Sequence, residues 1–326
     1  MSTPPPAKRR RPAWLEQLIL LLIRIVIFFV RFFPLSLARF LARGLGHTIY
    51  FFFGPNFLQV DYHLRLAFRN EFTQEQRNTL AHKFWLHFAQ GIAEALLLYR
   101  WTPESFHQYM DETEFERLKP YIENSKPPGK GVILISGHLG SWEVSAYYIS
   151  LMGLPVHLVH NPGTIAPIFE YVKKERERSG VKIHSRHEHV WAFKKLLDQG
   201  KWLCIAMDVN AGRYGEFVPF FGVQASSYTS PAALQQVTGC PIIVGTTARM
   251  PNGRHKLKIW KIIENPRGGG APERLAVTRE INLALEEAIR AYPEQWLWNY
   301  RRWRRRPPGE IMGPDGLPPL VEEQVP

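Results

Sequence analysis

Cysteine is nearly absent: Cys204, inside the apolar run WLCIAM, and Cys240, in TGCPII, are the two in 326 residues. A disulfide scaffold is thereby excluded, and a reducing compartment fits. Neither thiol lies in a polar or electropositive stretch that would lower its pKa, so both read as packing residues. Acidic residues are in deficit, 29 against 41 Lys and Arg, for a formal net charge of +12. That excess calls for an anionic partner: a nucleic acid, an anionic bilayer surface or an acidic carrier protein. The 21% of charged residues excludes a polytopic membrane protein, while 45% hydrophobic content suffices for a substantial core in one main globular domain with appendages. No internal repeat is present. PPGKG near Lys130 lacks the spacing of a phosphate loop, and His184, His187 and His189 with Glu188 lack that of a zinc helix, so they read as a solvated loop and helix start.

Trp14 to Phe33 has the length of a membrane-crossing helix, about 20 residues, and Pro34 ends it. Its charges do not fit a simple crossing. Gln17, Arg24 and Arg31 recur every seven residues and share one face, which needs protein, headgroups or water beside it. Leu35 to Phe53 follows directly, with Arg39 and Arg43, which predicts two helices meeting at a bend, inserted in or lying on a membrane. The plain alternative is a buried core helix of a soluble protein. Without a small-residue cleavage site, and with arginines in the apolar region, the segment is not a removable signal peptide. KRRR at Lys8 to Arg11 would hold the N-terminus on the cytoplasmic side of a spanning helix.

Asp61 to Arg100 reads as helical throughout, and Thr102 with Pro103 as the start of another helix. From Gly131 the texture changes to GVILISG, LPVHLV, KWLCIAM, PIIVGTTARM and HKLKIWKII, strand patterns with helices between several of them. That alternation predicts an α/β fold, a mixed central sheet flanked by helices. Residues 1–12 and 307–326, rich in Pro, Gly or basic residues with little apolar periodicity, are expected to be disordered.

GVILISGHLGSWEV is the most informative stretch, because a strand ends in Ser136-Gly137-His138 and a helix starts near Ser141. Ligand sites of α/β proteins collect at such strand ends. His138 and Glu143 would diverge by about 140° inside one helix, but with His138 in the preceding turn both can face one cleft. A histidine there suits general-base work at neutral pH, and the carboxylate can orient it or bind substrate. Alone, the pair would read as a strand-end histidine and a surface glutamate. Asp208 follows the strand WLCIAM in the same way, so on parallel strands it would share a rim with His138, hold its tautomer and stabilise the imidazolium.

GHLGSWEV, then MDVNAGRYGEFVPFFG, then PEQWLWNYRRWRRR, in this order and after an apolar N-terminal helix, resemble the bacterial lipid A biosynthesis acyltransferase family over roughly Leu18 to Arg305. The resemblance implies a glycerolipid-acyltransferase-like fold, with 13–53 as membrane-associated helices and 54–306 as the acyltransferase domain. It makes His138 the general base, Glu143 its motif partner and Asp208 the second acidic residue. Arg176, Phe220, Phe221, Gly222 and Arg249 fall at family positions that suggest substrate contacts. Ser141 and His63 stand where asparagine is usual, which bears on the acceptor.

The implied reaction moves a fatty acyl group from an acyl carrier protein thioester, or acyl-CoA, to a hydroxyl of a lipid A precursor, without metal or organic cofactor. Oxyanion donors would be backbone amides after Gly140 or an arginine. The expected place is the bacterial inner membrane with the catalytic domain facing the cytoplasm. Carrier thioesters are made there, so the chemistry favours a re-entrant or in-plane anchor over a true span. RRWRRR at Arg301 to Arg306, with its tryptophans, suits anionic lipid or an acidic carrier; no nucleic-acid module accompanies it, and a nucleic-acid partner is not expected. An acyltransferase for another glycolipid or aminolipid, a thioester hydrolase and a non-enzymatic lipid-binding membrane protein are the alternatives.

Overall fold

The computed structural model describes residues 13–30, 32–126, 129–160, 173–174, 176–264 and 269–321. The expectations for residues 1–12, Arg31 and 322–326 lie outside these. Helix α1 is Ala13–Val30 and α2 is Leu35–Phe53, the latter bracketed by Pro34 and by Gly54 at φ 72°. Both breakers act as their backbones dictate: proline starts a helix well, and glycine takes a left-handed exit without strain. Among the described residues, no helix is long and apolar enough to cross a membrane.

The helix expected across Asp61 to Arg100 is two, α3 (Val60–Phe68) and α4 (Gln74–Leu97). A capping box causes the break: Thr73 Oγ1 accepts the Gln76 N–H, and the Gln76 side chain accepts the Thr73 N–H. No α-helix starts at Thr102. The Ser105 hydroxyl takes the Thr102 N–H at 2.9 Å, and a turn with a 3-10 segment at Phe106–Gln108 replaces it.

The remaining elements are β1 (Met110–Asp111), α5 (Lys119–Asn124), β2 (Val132–Ser136), α6 (Trp142–Leu151), β3 (Val156–His160), β4 (Lys182–Ser185), α7 (Val190–Asp198), β5 (Trp202–Ala206), β6 (Glu216–Phe220), β7 (Val223–Ser227), α8 (Ser230–Thr238), β8 (Ile242–Arg249), β9 (His255–Ile263) and α9 (Ala271–Ala291). The main sheet has the order β1-β9-β8-β2-β5-β3-β4, and β6 and β7 form a separate hairpin. β8, β2, β5, β3 and β4 are parallel, while β9 pairs antiparallel with β8 and carries β1. The sheet is mixed and flanked by helices, within the α/β class that the alternation predicted.

Alternation along the strands supplies two cores. Ile133 and Ile135 of β2 face α9 and the tryptophans of the C-terminal segment, whereas Val132 and Leu134 face α6. Both faces are covered, which is why these strands read as continuous apolar runs.

Two expectations about the C-terminal segment change. Residues 307–321 pack against the domain: Leu317 is buried, Arg65 donates to the Asp315 carbonyl and the Val321 N–H donates to Gly222. Isolated anchors of this kind leave no periodicity to read. RRWRRR is only partly a surface. Arg302 is fully buried and donates to the Ser226 carbonyl and Ser227 Oγ, each at 2.6 Å. Trp296, Trp298 and Trp303 are core residues rather than an interfacial belt.

Helix α2 lies on α4 through Ala38, Ala42 and Gly46, small residues spaced one turn apart. A Cβ at Gly46 would meet the Trp85 carbonyl oxygen at 2.7 Å and Leu86 Cα at 2.8 Å, while one at Gly44 meets nothing within 4 Å. Gly44→Ala should therefore stabilise by up to about 1 kcal/mol through helix propensity. Gly46→Ala should destabilise by roughly 1–3 kcal/mol because backbone must move. Thermal unfolding of the two variants in one detergent reads the opposite signs, and equal shifts would contradict this packing.

Candidate active site

Ser136 and Ala206 are register partners on the parallel strands β2 and β5. His138 and Asp208 each lie two residues beyond that pair, so two neighbouring strands deliver them to one rim. The His138 Nδ1–H donates to Asp208 Oδ1 at 2.8 Å, and the His138 backbone N–H donates to Oδ2 at 2.6 Å. The Trp296 indole donates to Oδ2 at 2.8 Å. With Asp208 2% exposed, these three donors replace the water that its charge needs. Burial alone would raise the Asp208 pKa; the adjacent imidazole and the hydrogen bonds outweigh it and hold the carboxyl below its ordinary range.

The converse holds for His138. Burial lowers its pKa and Arg176 adds to that, but Asp208 and Glu143 overcome both and leave it above 6.5. Because Nδ1 faces a carboxylate, Nδ1 carries the proton of the neutral ring and Nε2 keeps the lone pair.

Glu143, in the first turn of α6, is not the residue that orients His138. It forms a two-pronged pair with Arg176, Nε to Oε2 at 2.8 Å and Nη2 to Oε1 at 2.6 Å, and accepts the Trp142 indole N–H at 3.1 Å. Burial would raise the Glu143 pKa, yet Arg176 and the nearby imidazole keep it lowered. Arg176, in a helical turn before Ser179, also contacts His160 Nδ1 at 2.8 Å. Its guanidinium, expected to contact substrate, is thus engaged on two sides by Glu143 and His160. The Gly140 N–H donates to the Gln295 carbonyl at 2.9 Å.

His138, Glu143 and Arg176 line a cavity of about 650 Å³. It continues between α6 and the sheet along Leu134, Ile149, Val156, Leu158, Cys204 and Leu257, and Gly245 of β8 lies in its wall. Tyr214, Tyr228, Tyr300 and Asn210 add polar groups. Burial pushes the Cys204 thiol up to about 12, so that this wall stays uncharged. A deep apolar recess with a few polar groups beside a base suits a ligand that is mostly hydrocarbon with one reacting polar end.

The other residues singled out from the sequence lie elsewhere. Phe221 and Gly222, at φ 52° and 65°, form the two-residue tip of the β6–β7 hairpin. Phe220 packs 5.9 Å from Trp296, the indole that binds Asp208, so this block buttresses the dyad without entering the cavity. Arg249, at the end of β8, is buried against Glu94. Trp296, His160 and Glu94 were not legible as site-related. Trp296 sits inside the PEQWLW block, and the other two carried no local signal. The His184 Nδ1–H donates to Glu188 at 2.9 Å and its Nε2 lies 2.8 Å from His157 Nδ1, and among the described residues no group of three or more His, Cys, Asp or Glu has the arrangement of a metal site.

A family model described as bacterial lipid A biosynthesis acyltransferase matches residues 7–305. The chain belongs to this family. It is an acyltransferase. It is 23% identical over 252 residues to the lipid A biosynthesis palmitoleoyltransferase of Escherichia coli (strain K12), covering 76% of this chain and 78% of the relative. It is 25% identical over 271 residues to the lipid A biosynthesis lauroyltransferase of the same organism, covering 82% and 85%. A lipid A biosynthesis acyltransferase of Haemophilus influenzae is 25% identical over 246 residues, covering 73% of each chain. The acyltransferase shares its match with relatives named for different acyl groups.

The raised His138 pKa fixes the sign of a pH effect. A histidine serving as general base must be neutral, so on that role for His138 kcat/KM should rise with pH through a single acid limb centred above 6.5. Asp208→Asn removes the largest raising influence and leaves burial, so the limb should move to lower pH while the rate falls roughly 10²–10⁴-fold. A limb that stays in place in Asp208→Asn would contradict the pairing.

Proposed function

We propose that this acyltransferase moves a fatty acyl group from a carrier thioester to a hydroxyl of a lipid A-type acceptor, with His138 as general base. The observation that carries the reading is the Asp208–His138 pair, whose imidazole lines an apolar cavity. His138 Nε2 takes the hydroxyl proton as the oxygen attacks the thioester carbonyl carbon. The tetrahedral oxyanion then collapses, the carbon–sulfur bond breaks, and the imidazolium returns the proton to the departing thiolate. Asp208 offsets the imidazolium charge in between. The apolar recess takes the acyl chain.

The acceptor class is supported by the names of the relatives, and the donor by the charge of +12, which suits an acidic acyl carrier protein; acyl-CoA is the second donor. Membrane association is supported by the α1–α2 surface, where Trp14, Phe28, Phe29, Phe40, Phe51 and Phe52 are all more than half exposed. An apolar surface of that extent calls for a cover. We place it in the plane of the bacterial inner membrane, with the catalytic domain on the cytoplasmic side, where thioester and nascent lipid meet.

In detergent micelles with a lipid A precursor and radiolabelled acyl carrier protein, wild type should transfer the label to lipid. Folded His138→Ala should lose roughly 10²–10⁴-fold. Equal transfer by both proteins would overturn the base, and release of free fatty acid instead of acylated lipid would favour a hydrolase. The cavity makes a separate prediction. A Cβ at Gly245 would have nothing nearer than the Lys258 carbonyl oxygen at 3.5 Å, so Gly245→Leu should fold, fill the recess and shift the preferred acyl chain to a shorter one. An unchanged preference across a series of acyl donors would place the chain elsewhere.

A further inference from the structure

We infer that Arg39 on α2 is a positioning residue for the catalytic turn, acting through Glu94 and Ser141, so that α2 belongs to the catalytic machinery as well as to the anchor. The inference rests on His138 being the base. Glu94, in the interior of α4, is 1% exposed and gathers groups from four other elements. Its Oε1 accepts from Arg39 Nε at 2.6 Å and from Arg249 Nε at 2.7 Å. Its Oε2 accepts from Arg249 Nη2 at 2.6 Å and from the Ser141 hydroxyl. His255, at the start of β9, lies 3.6 Å from Oε2.

Ser141 stands at the N-cap of α6, where a serine ordinarily caps its own helix. Here its hydroxyl makes no cap bond and is turned to Glu94, with Arg249 Nη2 donating to it at 3.1 Å. Beyond the bonds from His138 to Asp208, the turn from His138 to Ser141 is pinned at three further places. The His138 carbonyl accepts the Leu297 N–H at 3.1 Å, the Gly140 N–H goes to Gln295, and Ser141 is held by Glu94. The first two pins come from one C-terminal segment. The third comes from α4, and α2 completes it.

Charge accounting explains why Arg39 matters and why it can be removed. Burial holds His87 and His255 at about 4, so both are neutral at pH 7, and Glu94 is held at about 2. One carboxylate thus faces two guanidiniums. Without Arg39, Glu94 and Arg249 remain a balanced pair; without Glu94, two buried guanidiniums would lose their counterion. The Arg39 guanidinium also lies against the β8–β9 turn, where a Cβ on Gly253 would meet its Nη1 at 2.8 Å. Arg39 Nη2 lies 3.3 Å from His255 Nε2. A small displacement of a turn that carries the base is costly to the rate, because reaction geometry is steep in distance.

The test compares full-length wild type, Arg39→Ala, Arg39→Lys, Ser141→Ala, the Arg39→Ala/Ser141→Ala double variant and His138→Ala in the micellar assay, with rates expressed per folded protein. Binding to phosphatidylethanolamine–phosphatidylglycerol vesicles is measured alongside. Arg39→Ala should lose about tenfold or more in kcat, with KM for the acceptor and vesicle binding unchanged. Arg39→Lys should recover part of the loss, and the double variant should be no worse than the poorer single one, since both changes cut the same link. A full kcat in Ser141→Ala, additive losses in the double variant, or a loss confined to vesicle binding and KM would overturn the inference. Wild-type transfer by His138→Ala would instead overturn the reading of the base on which it rests.

Discussion

Asp208 is a carboxylate that must stay charged where water does not reach, and the catalytic corner is arranged around that requirement. Its two oxygens take a ring N–H, a backbone N–H and an indole N–H from residues far apart in the chain. Each donor is itself fixed: His138 by the end of β2, Trp296 by its packing against Phe220, Trp298 and Trp303. Removing the carboxylate would free the tautomer of the imidazole, orphan a buried indole and loosen the turn before α6 together. The elevated His138 pKa follows from the same contact, with Glu143 adding its charge.

Around this corner, charges come in mostly buried, paired sets. Glu143 neutralises Arg176 beside His138, and Glu94 sits between Arg39 and Arg249 on the far side of the turn. Such pairs contribute little net stability, since desolvation offsets attraction, but they define geometry tightly. The apolar cavity is lined by His138 and the Glu143–Arg176 pair, and the exposed apolar helices α1 and α2 flank the same domain. The proposed reaction joins a water-soluble thioester to a membrane-held hydroxyl, substrates in different solvents, and calls for both kinds of surface.

Much of this was legible because it was local. Pro34 and Gly54 mark the ends of α2, the apolar runs mark five strands, and a small-residue turn after a buried strand marks His138 as a strand-end histidine. The pairing with Asp208 needed only parallel strands. The rest depends on contacts without a local signature. Glu94 sits in FWLHFAQGIAEALLL as an ordinary polar helix residue, and its partners lie 47, 55 and 155 positions away. Arg302 reads as one more charge in a basic run, yet it is buried against β7. Glu143 was paired with His138 by spacing, whereas its partner Arg176 arrives from a separate helical turn. The break between α3 and α4 was readable in the Thr73 and Gln76 capping box, which the apolar pattern across it obscured.

The central claim is that Asp208 holds His138 as the Nδ1–H tautomer with Nε2 free to take a proton. Nitrogen NMR of 15N-histidine-labelled enzyme in micelles, with the His138 signals identified by their loss in His138→Gln, tests it most directly. The account predicts that above its pKa the ring shows a protonated Nδ1 and an unprotonated Nε2, with a midpoint higher than 6.5 that falls in Asp208→Asn. A neutral ring protonated at Nε2, or a midpoint that Asp208→Asn leaves in place, would contradict it.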